Sequence, residues 1–236
     1  MGIGQPVQLP LGIKLRDEAT FANFYAGPNA AVMSAVRALA TPGDNSSTQI
    51  YLWGAAGSGR SHLLQAACHE AAASGLLAMY LPLEEVLGHD ASIFEGMDQF
   101  DLLCLDQLDA LVGDAAWQEA LFHLYNRLSE AGGKILLAAS AAPRSLGISL
   151  PDLASRLGWG VVFQLHSLSD EDKQHMLQLR ASLRGLQLPD EVARYILSRG
   201  ARGMGELFDA LERLDQASLQ AQHRLTIPFV KRVMGW

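Results

Sequence analysis

An eight-residue stretch, GAAGSGRS at 54–61, limits what this chain can become more than any other part of it. It lies between the apolar run QIYLWG (49–54) and the helix-like segment SHLLQAACHEAAASG (61–75). Its glycines are spaced as in a phosphate-binding loop, G-x-x-x-x-G-K-[ST], and strand, loop and helix follow in the order such a loop needs. Glycines let successive backbone N–H groups turn inward around phosphates, and the following helix adds the positive end of its dipole. Gly54, Gly57 and Gly59 supply that freedom, with Ser58 and His62 in the same turn. Ser61 takes the hydroxyl position that serves Mg²⁺ in such loops. Arg60 stands where the motif has lysine. Its planar fork keeps the charge but is bulkier and aimed differently. Phosphate affinity is expected to survive, whereas close packing on a transferring γ-phosphate is expected to suffer. The plain alternative is a flexible turn with no ligand.

A second motif supports the nucleotide reading. LLCLDQ (102–107) is an apolar strand ending in Asp106, an acid placed to hold Mg²⁺ through water. Hydrolases of this type commonly carry a second acid next, which orients the attacking water. Gln107 stands there, and a neutral amide cannot accept a proton. Arg60 and Gln107 thus both weaken hydrolysis while leaving binding in place, so very slow intrinsic turnover is expected.

The rest of the chain supplies a frame for this site. Apolar runs at 49–54, 76–83, 101–108, 134–140 and 160–165 alternate with helical segments. Near-continuous apolar strands separated by helices imply a parallel sheet covered on both faces, an α/β fold. The helix after Gly27-Pro28-Asn29 is expected to turn Ala30, Met33, Val36 and Leu39 inward. After Leu165 only helical patterns remain. Ser169, three residues before Asp172, is a cap-like start, and Pro189 and Pro228 sit at the openings of later helices. The expected organisation is an extended tail at 1–16, an α/β nucleotide-binding domain at 17–166 and a small helical lid at 167–236.

Composition narrows the classes further. The 236 residues carry a formal net charge of -7 and a pI near 5.4, which argues against a dedicated nucleic-acid binder. No stretch approaches the ~20 apolar residues of a membrane span, and no export signal is visible at the N-terminus. Cys68 and Cys104 sit in apolar runs and read as buried reduced thiols. A cytoplasmic protein with no membrane partner is expected.

The segments FANFYAGPNAA, YLWGAAGSGRSHLLQAACHE, DLLCLDQLDAL, LPDLASRLGWG and LTIPFVK resemble the DnaA family of AAA+ ATPases, and more narrowly its shorter Hda-like branch. The resemblance runs over nearly the whole chain and ends with the lid, where DnaA continues into a DNA-binding domain. It implies an AAA+ core with a helical lid. It also implies a regulator that, with the sliding clamp loaded on DNA, stimulates hydrolysis of ATP bound to DnaA and so prevents re-initiation. The ligand implied for this chain is ADP or another nucleoside diphosphate, with Mg²⁺ at Ser61 and Asp106 where one is bound. DNA is reached through the clamp. Arg156, in LPDLASRLGWG, matches the family's arginine finger, which acts on a neighbour's γ-phosphate. From spacing alone, a surface pair with Asp152 is equally open. QLPLGI (8–13) resembles the clamp-binding peptide: Gln8 would orient it while Leu9, Leu11 and Ile13 fill an apolar groove. Gly12 replaces the family's proline there. Ser140 falls at the first-sensor position, with an ordinary strand-end serine as the alternative. At the lid's second-sensor position the alignment places Gly205 instead of arginine, with Arg202 three residues earlier as a candidate substitute. Competing readings are an active AAA+ ATPase such as a helicase loader, and a nucleotide kinase. Base preference and monomer versus homo-dimer stay open.

Overall fold

In the computed structural model, residues 15–16, 19–43, 47–199, 203–221 and 224–236 are described. Five strands form one sheet: β1 (Gln49–Gly54), β2 (Ala78–Pro82), β3 (Leu102–Asp106), β4 (Lys134–Ala139) and β5 (Val161–Leu165). Their order is β2-β3-β4-β1-β5, and every pairing is parallel. Helix α1 (Ala30–Leu39) precedes the first strand, and the crossovers run through α2 (Arg60–Ala73), α3 (Leu83–Val86), α4 (Ala115–Glu130) and α5 (Pro151–Leu157).

The strands are apolar throughout because both faces of the sheet are packed. Tyr51, Leu81, Leu103, Leu105, Ile135 and Leu137 point to one face and meet Trp117, Leu121 and Leu124 of α4. Ile50, Leu52, Leu102, Cys104, Leu136 and Ala138 point to the other and meet α1 and α2. This is the two-residue alternation of a strand with both of its faces buried. Helix α2 is alanine-rich and lies against sheet and α1 together, so Leu63 through Cys68 are all buried. Cys68 and Cys104 are buried free thiols in this layer.

Two expectations need correction. In α1 the buried residues are Val32, Val36 and Leu39, whereas Ala30 is exposed and Met33 only half-buried. Val36 and Leu39 face inward as expected, but in the first turn Val32 is buried in place of Ala30 and Met33. The cover on both faces also fails at β5: Val161 and Val162 are exposed, because β5 is an edge strand paired only with β1.

The lid consists of α6 (Asp170–Leu183), α7 (Asp190–Arg199), α8 (Met204–Ala221) and α9 (Ile227–Met234) around its own core, including Leu177, Val192, Ile196, Leu211, Leu214 and Val230. Its helices start where their caps permit. Ser169 and Asp172 form a reciprocal capping box on α6, at 3.1 Å in each direction. Thr226 Oγ1 accepts from Phe229 N–H on α9. The lid is joined to the α/β domain by Asn29, whose side-chain amide bonds both backbone groups of His166 at 2.9 Å, and by Tyr25, which donates to Asp172 at 3.3 Å.

Candidate functional site

Strand β1 delivers Gly54 to the loop. A Cβ there would lie 2.5 Å from the carbonyl oxygen of Leu165, so only glycine lets the two strand ends run so close. Gly57 and Gly59 adopt φ of +77° and +99°. Gly59 is the N-cap of α2 and has no side chain with which to cap it, which leaves first-turn N–H groups for an anion. Ser58 is buried, and its Oγ finds no hydrogen-bond partner among the described residues. The loop opens on a cleft of about 400 Å³, lined by Gly57, Gly59, Arg60, Ser61 and His62 on one side. Arg180, Met204, Gly205 and Phe208 of the lid line the other. A contiguous apolar chamber is walled by Phe24, Tyr25, Leu168, Met176, Met204 and Phe208. An unpartnered buried hydroxyl, a glycine cradle and an uncapped helix start fit a phosphate, and the aromatic chamber fits a flat ring.

His62 fastens the loop to the segment before α1: Nε2 lies 2.8 Å from the Thr20 carbonyl and donates to it. Nδ1 is then the acceptor, and Arg180 Nη2 lies 3.5 Å from it. Burial lowers the His62 pKa to about 4, with nearby Arg180 and Arg16 acting in the same direction and the Thr20 bond opposing. Protonation is thus resisted in the folded chain but free near pH 6.5 in the unfolded one. Stability is intact above pH 6.5 and should fall by up to about 3 kcal/mol as pH drops from 6.5 to about 4. Urea midpoints between pH 7.5 and 4.5 test this. His62→Gln, which keeps a donor for Thr20, should flatten the slope.

The two metal-site candidates are not equivalent. Ser61 lines the cleft, but Asp106 is buried behind Tyr80. Its Oδ2 accepts from the Tyr80 hydroxyl at 2.9 Å and its Oδ1 from the Gln107 N–H at 2.9 Å. Burial, and then the Asp106 charge, push the Tyr80 pKa strongly upward, so the phenol stays a donor. Among the described residues no group of three or more His, Cys, Asp or Glu side chains is arranged to hold a metal. A Mg²⁺ would rest on Ser61 and the nucleotide's own oxygens. Gln107 is the one non-glycine residue with positive φ, +60°, among those described. Its Nε2 donates to Glu84 at 2.8 Å, and its Oε1 is buried with no hydrogen-bond partner among the described residues. The residue after Asp106 is thus strained and tied sideways, and it has no group that accepts a proton. Ser140 directly follows β4 with its hydroxyl and N–H both directed to Asp109, and it is not among the residues lining the cleft.

Arg156 lies elsewhere. It closes α5, outside the cleft, and its guanidinium is held by rings: Trp159 at 4.3 Å, Tyr125 at 5.4 Å and Phe122 at 5.5 Å. The alternative pair with Asp152 does not form, and the guanidinium makes no ion pair or hydrogen bond among the described residues. The helix end beneath it is pinned from the core. Gln49 Nε2 donates to the carbonyls of Arg156 and Leu157 at 3.0 and 3.1 Å, while Tyr125 donates to Gln49 Oε1 at 2.5 Å. Gly160 is required there, since a Cβ would stand 2.2 Å from the Gln49 carbonyl oxygen.

The loop residues from Gly54 to His62 therefore come together, Asp106 is held by Tyr80 and is not among the residues lining the cleft, and Ser140 and Arg156 stand apart. Gln8, Leu9, Leu11, Ile13 and Arg202 lie outside the described residues. Sequence reasoning pointed to the segment FYAGPN (24–29) and the lid for contacts to a base, but it did not single out Phe24, Phe208 or Arg180. For Arg180 a signal existed: it follows Met176 and Leu177 and precedes Ala181, all buried, so a cation interrupts the inward face of α6.

Among the described residues, no helix is long and apolar enough to cross a membrane. The family model described as bacterial DnaA ATPase domain matches residues 15–164, and the model described as Hda, lid domain, matches residues 170–234. Of solved structures, domain III of the Thermotoga maritima replication initiation protein DnaA superposes with a TM-score of 0.79 at 21% identity, covering 94% of this chain and 98% of that one. AMPPCP-bound DnaA from Aquifex aeolicus gives 0.74 at 24%, covering 88% and 68%. The Thermotoga maritima RuvB Holliday junction branch migration motor gives 0.64 at 17%, covering 92% and 73%. The fold is that of the AAA+ proteins, and the chain belongs to the bacterial DnaA ATPase-domain family, with a lid of the Hda type.

Proposed function

We propose that this chain is a DnaA-related regulator of replication initiation that holds a nucleotide as a fixed part of its fold and lends Arg156 to the ATP site of DnaA. The observation that carries this reading is the separation of its two phosphate-directed elements. The loop cradle lies between sheet and lid. Arg156 stands outside that cleft, with no ion pair among the described residues, on a surface that includes Trp159 at 64% exposure. A guanidinium with no anionic partner among the described residues can stabilise charge developing on another protein's γ-phosphate.

The resident nucleotide is proposed to be ADP or a related diphosphate, with Mg²⁺ optional. AMPPCP is bound in the Aquifex aeolicus DnaA structure, a protein of the same fold. Arg60 and Gln107 together disfavour turnover here. The tail around Gln8, Leu9, Leu11 and Ile13 is proposed to dock on the DNA-loaded sliding clamp and so to bring the chain to DnaA in the cytoplasm. The test is a single-turnover assay of labelled ATP on DnaA with clamp and primed DNA. Adding this chain should speed hydrolysis in a clamp-dependent way. The chain alone should turn over ATP far below the roughly 1–100 per second of ordinary enzymes. Rapid hydrolysis by the chain alone would favour an active loader-type ATPase instead.

A further inference from the structure

The lid wall of the cleft contributes Arg180, Met204, Gly205, Phe208, Asp209 and Glu212. A nucleotide in the cleft would bring two or three negative phosphoryl groups against this wall, which has a single cation among its lining residues. Arg180 reaches down from α6 to lie 3.5 Å from His62, in the first turn of α2, where the phosphate loop ends. Its guanidinium stacks on the Phe208 ring at 3.9 Å from the centroid. One face of the fork is therefore covered by a ring of α8 and one nitrogen approaches a fixed imidazole acceptor. A guanidinium held in this way loses little freedom when an anion arrives. It also stands at the boundary between the polar cleft and the apolar chamber, since it lines both. That boundary is where a nucleotide passes from ring to phosphates.

Resting on the nucleotide-binding part of the function proposed above, we infer that Arg180 is the lid's contact to the phosphates of the bound nucleotide. Gly205 lines the same cleft on α8 but has no side chain to offer. A Cβ at Gly205 would meet nothing within 4 Å, so this position of the cleft lining has room for a longer, cationic side chain.

That geometry supplies the test. Fluorescent ADP is titrated into the full chain, and adenosine at millimolar concentration serves as competitor. Arg180→Met keeps an apolar stem over Phe208 and removes the charge. It should weaken ADP binding about 10- to 100-fold, the range of one lost charge-assisted hydrogen bond, and leave adenosine competition within twofold. Gly205→Arg in the Arg180→Met background should recover most of the ADP affinity. Arg202→Ala should leave it unchanged. Unchanged ADP binding in Arg180→Met overturns the inference. Equal loss of ADP and adenosine overturns it too, because the contact would then be to the ring or the packing. Loss in Arg202→Ala with retention in Arg180→Met would assign the role to Arg202. Failure of the unsubstituted chain to bind ADP would remove the nucleotide reading itself along with this one. Should Arg180→Met unfold, Arg180→Gln gives the same comparison without the charge: weakened ADP binding that Gly205→Arg restores supports the inference, and binding unchanged from the unsubstituted chain overturns it.

Discussion

Replacing Arg156 with alanine is expected to lower the stimulated hydrolysis of DnaA-bound ATP on the order of 10³-fold, the scale on which arginine fingers act in other phosphoryl-transfer systems. Folding and nucleotide retention should be nearly unaffected. The side chain makes no ion pair among the described residues, and its stacking on Trp159, Tyr125 and Phe122 is partly exposed, so about 0.5–1 kcal/mol is at stake in stability. Gln49 and Tyr125 hold the helix end through backbone carbonyls, and those bonds persist in the variant. Arg156→Lys should recover little, because a point charge on a flexible stem lacks the planar fork that both rests on the rings and pairs with phosphoryl oxygens. The single-turnover assay with DnaA, clamp and DNA reads the effect directly. If Arg156→Ala stimulates as well as the unsubstituted chain, the residue has no role in trans.

The second large effect is expected at Gly59. Alanine there must adopt φ +99° and place a Cβ 2.7 Å from the Phe24 ring. The left-handed backbone and the displaced ring together cost about 2–4 kcal/mol. That is a sizeable share of the ~5–15 kcal/mol that holds a typical domain. Phe24 also walls the apolar chamber and stands 5.3 Å from the His62 ring, so the displacement passes straight into the proposed binding site. ADP affinity should drop more than tenfold, with a lowered urea midpoint. Gly75→Ala is the control: its φ is +79°, but nothing lies within 4 Å of the new Cβ. It should carry the backbone cost alone and leave ADP binding intact. Equal effects of the two substitutions on ADP affinity would show that the Phe24 contact does not matter to the site.

Much of the architecture was legible because its signals are local. Apolar runs of five or six residues, Gly75 after α2 and the Ser169–Asp172 box each report on a few neighbouring residues, and the five strands and the lid helices follow. The phosphate loop was legible for the same reason, since positive φ at Gly57 and Gly59 is a demand on the residue itself. Edge and centre were not. Val161 and Val162 look like core residues, and only the strand order leaves them exposed. The clamp-like tail at 8–13 remains a matter of resemblance.

The amino-acid order by itself determined the element types, the strand–loop–helix cradle and the loss of an acid after Asp106, because these depend on side-chain volume, charge and backbone freedom at successive positions. Only the tertiary structure decided that Tyr80 stands between Asp106 and Ser61, that Arg156 rests on three rings away from the cleft, and that Arg180 reaches the first turn of α2 from a helix more than a hundred residues later. Hydrogen bonds and stacking act over 3–6 Å in space and are indifferent to separation along the chain, so no local pattern carries them.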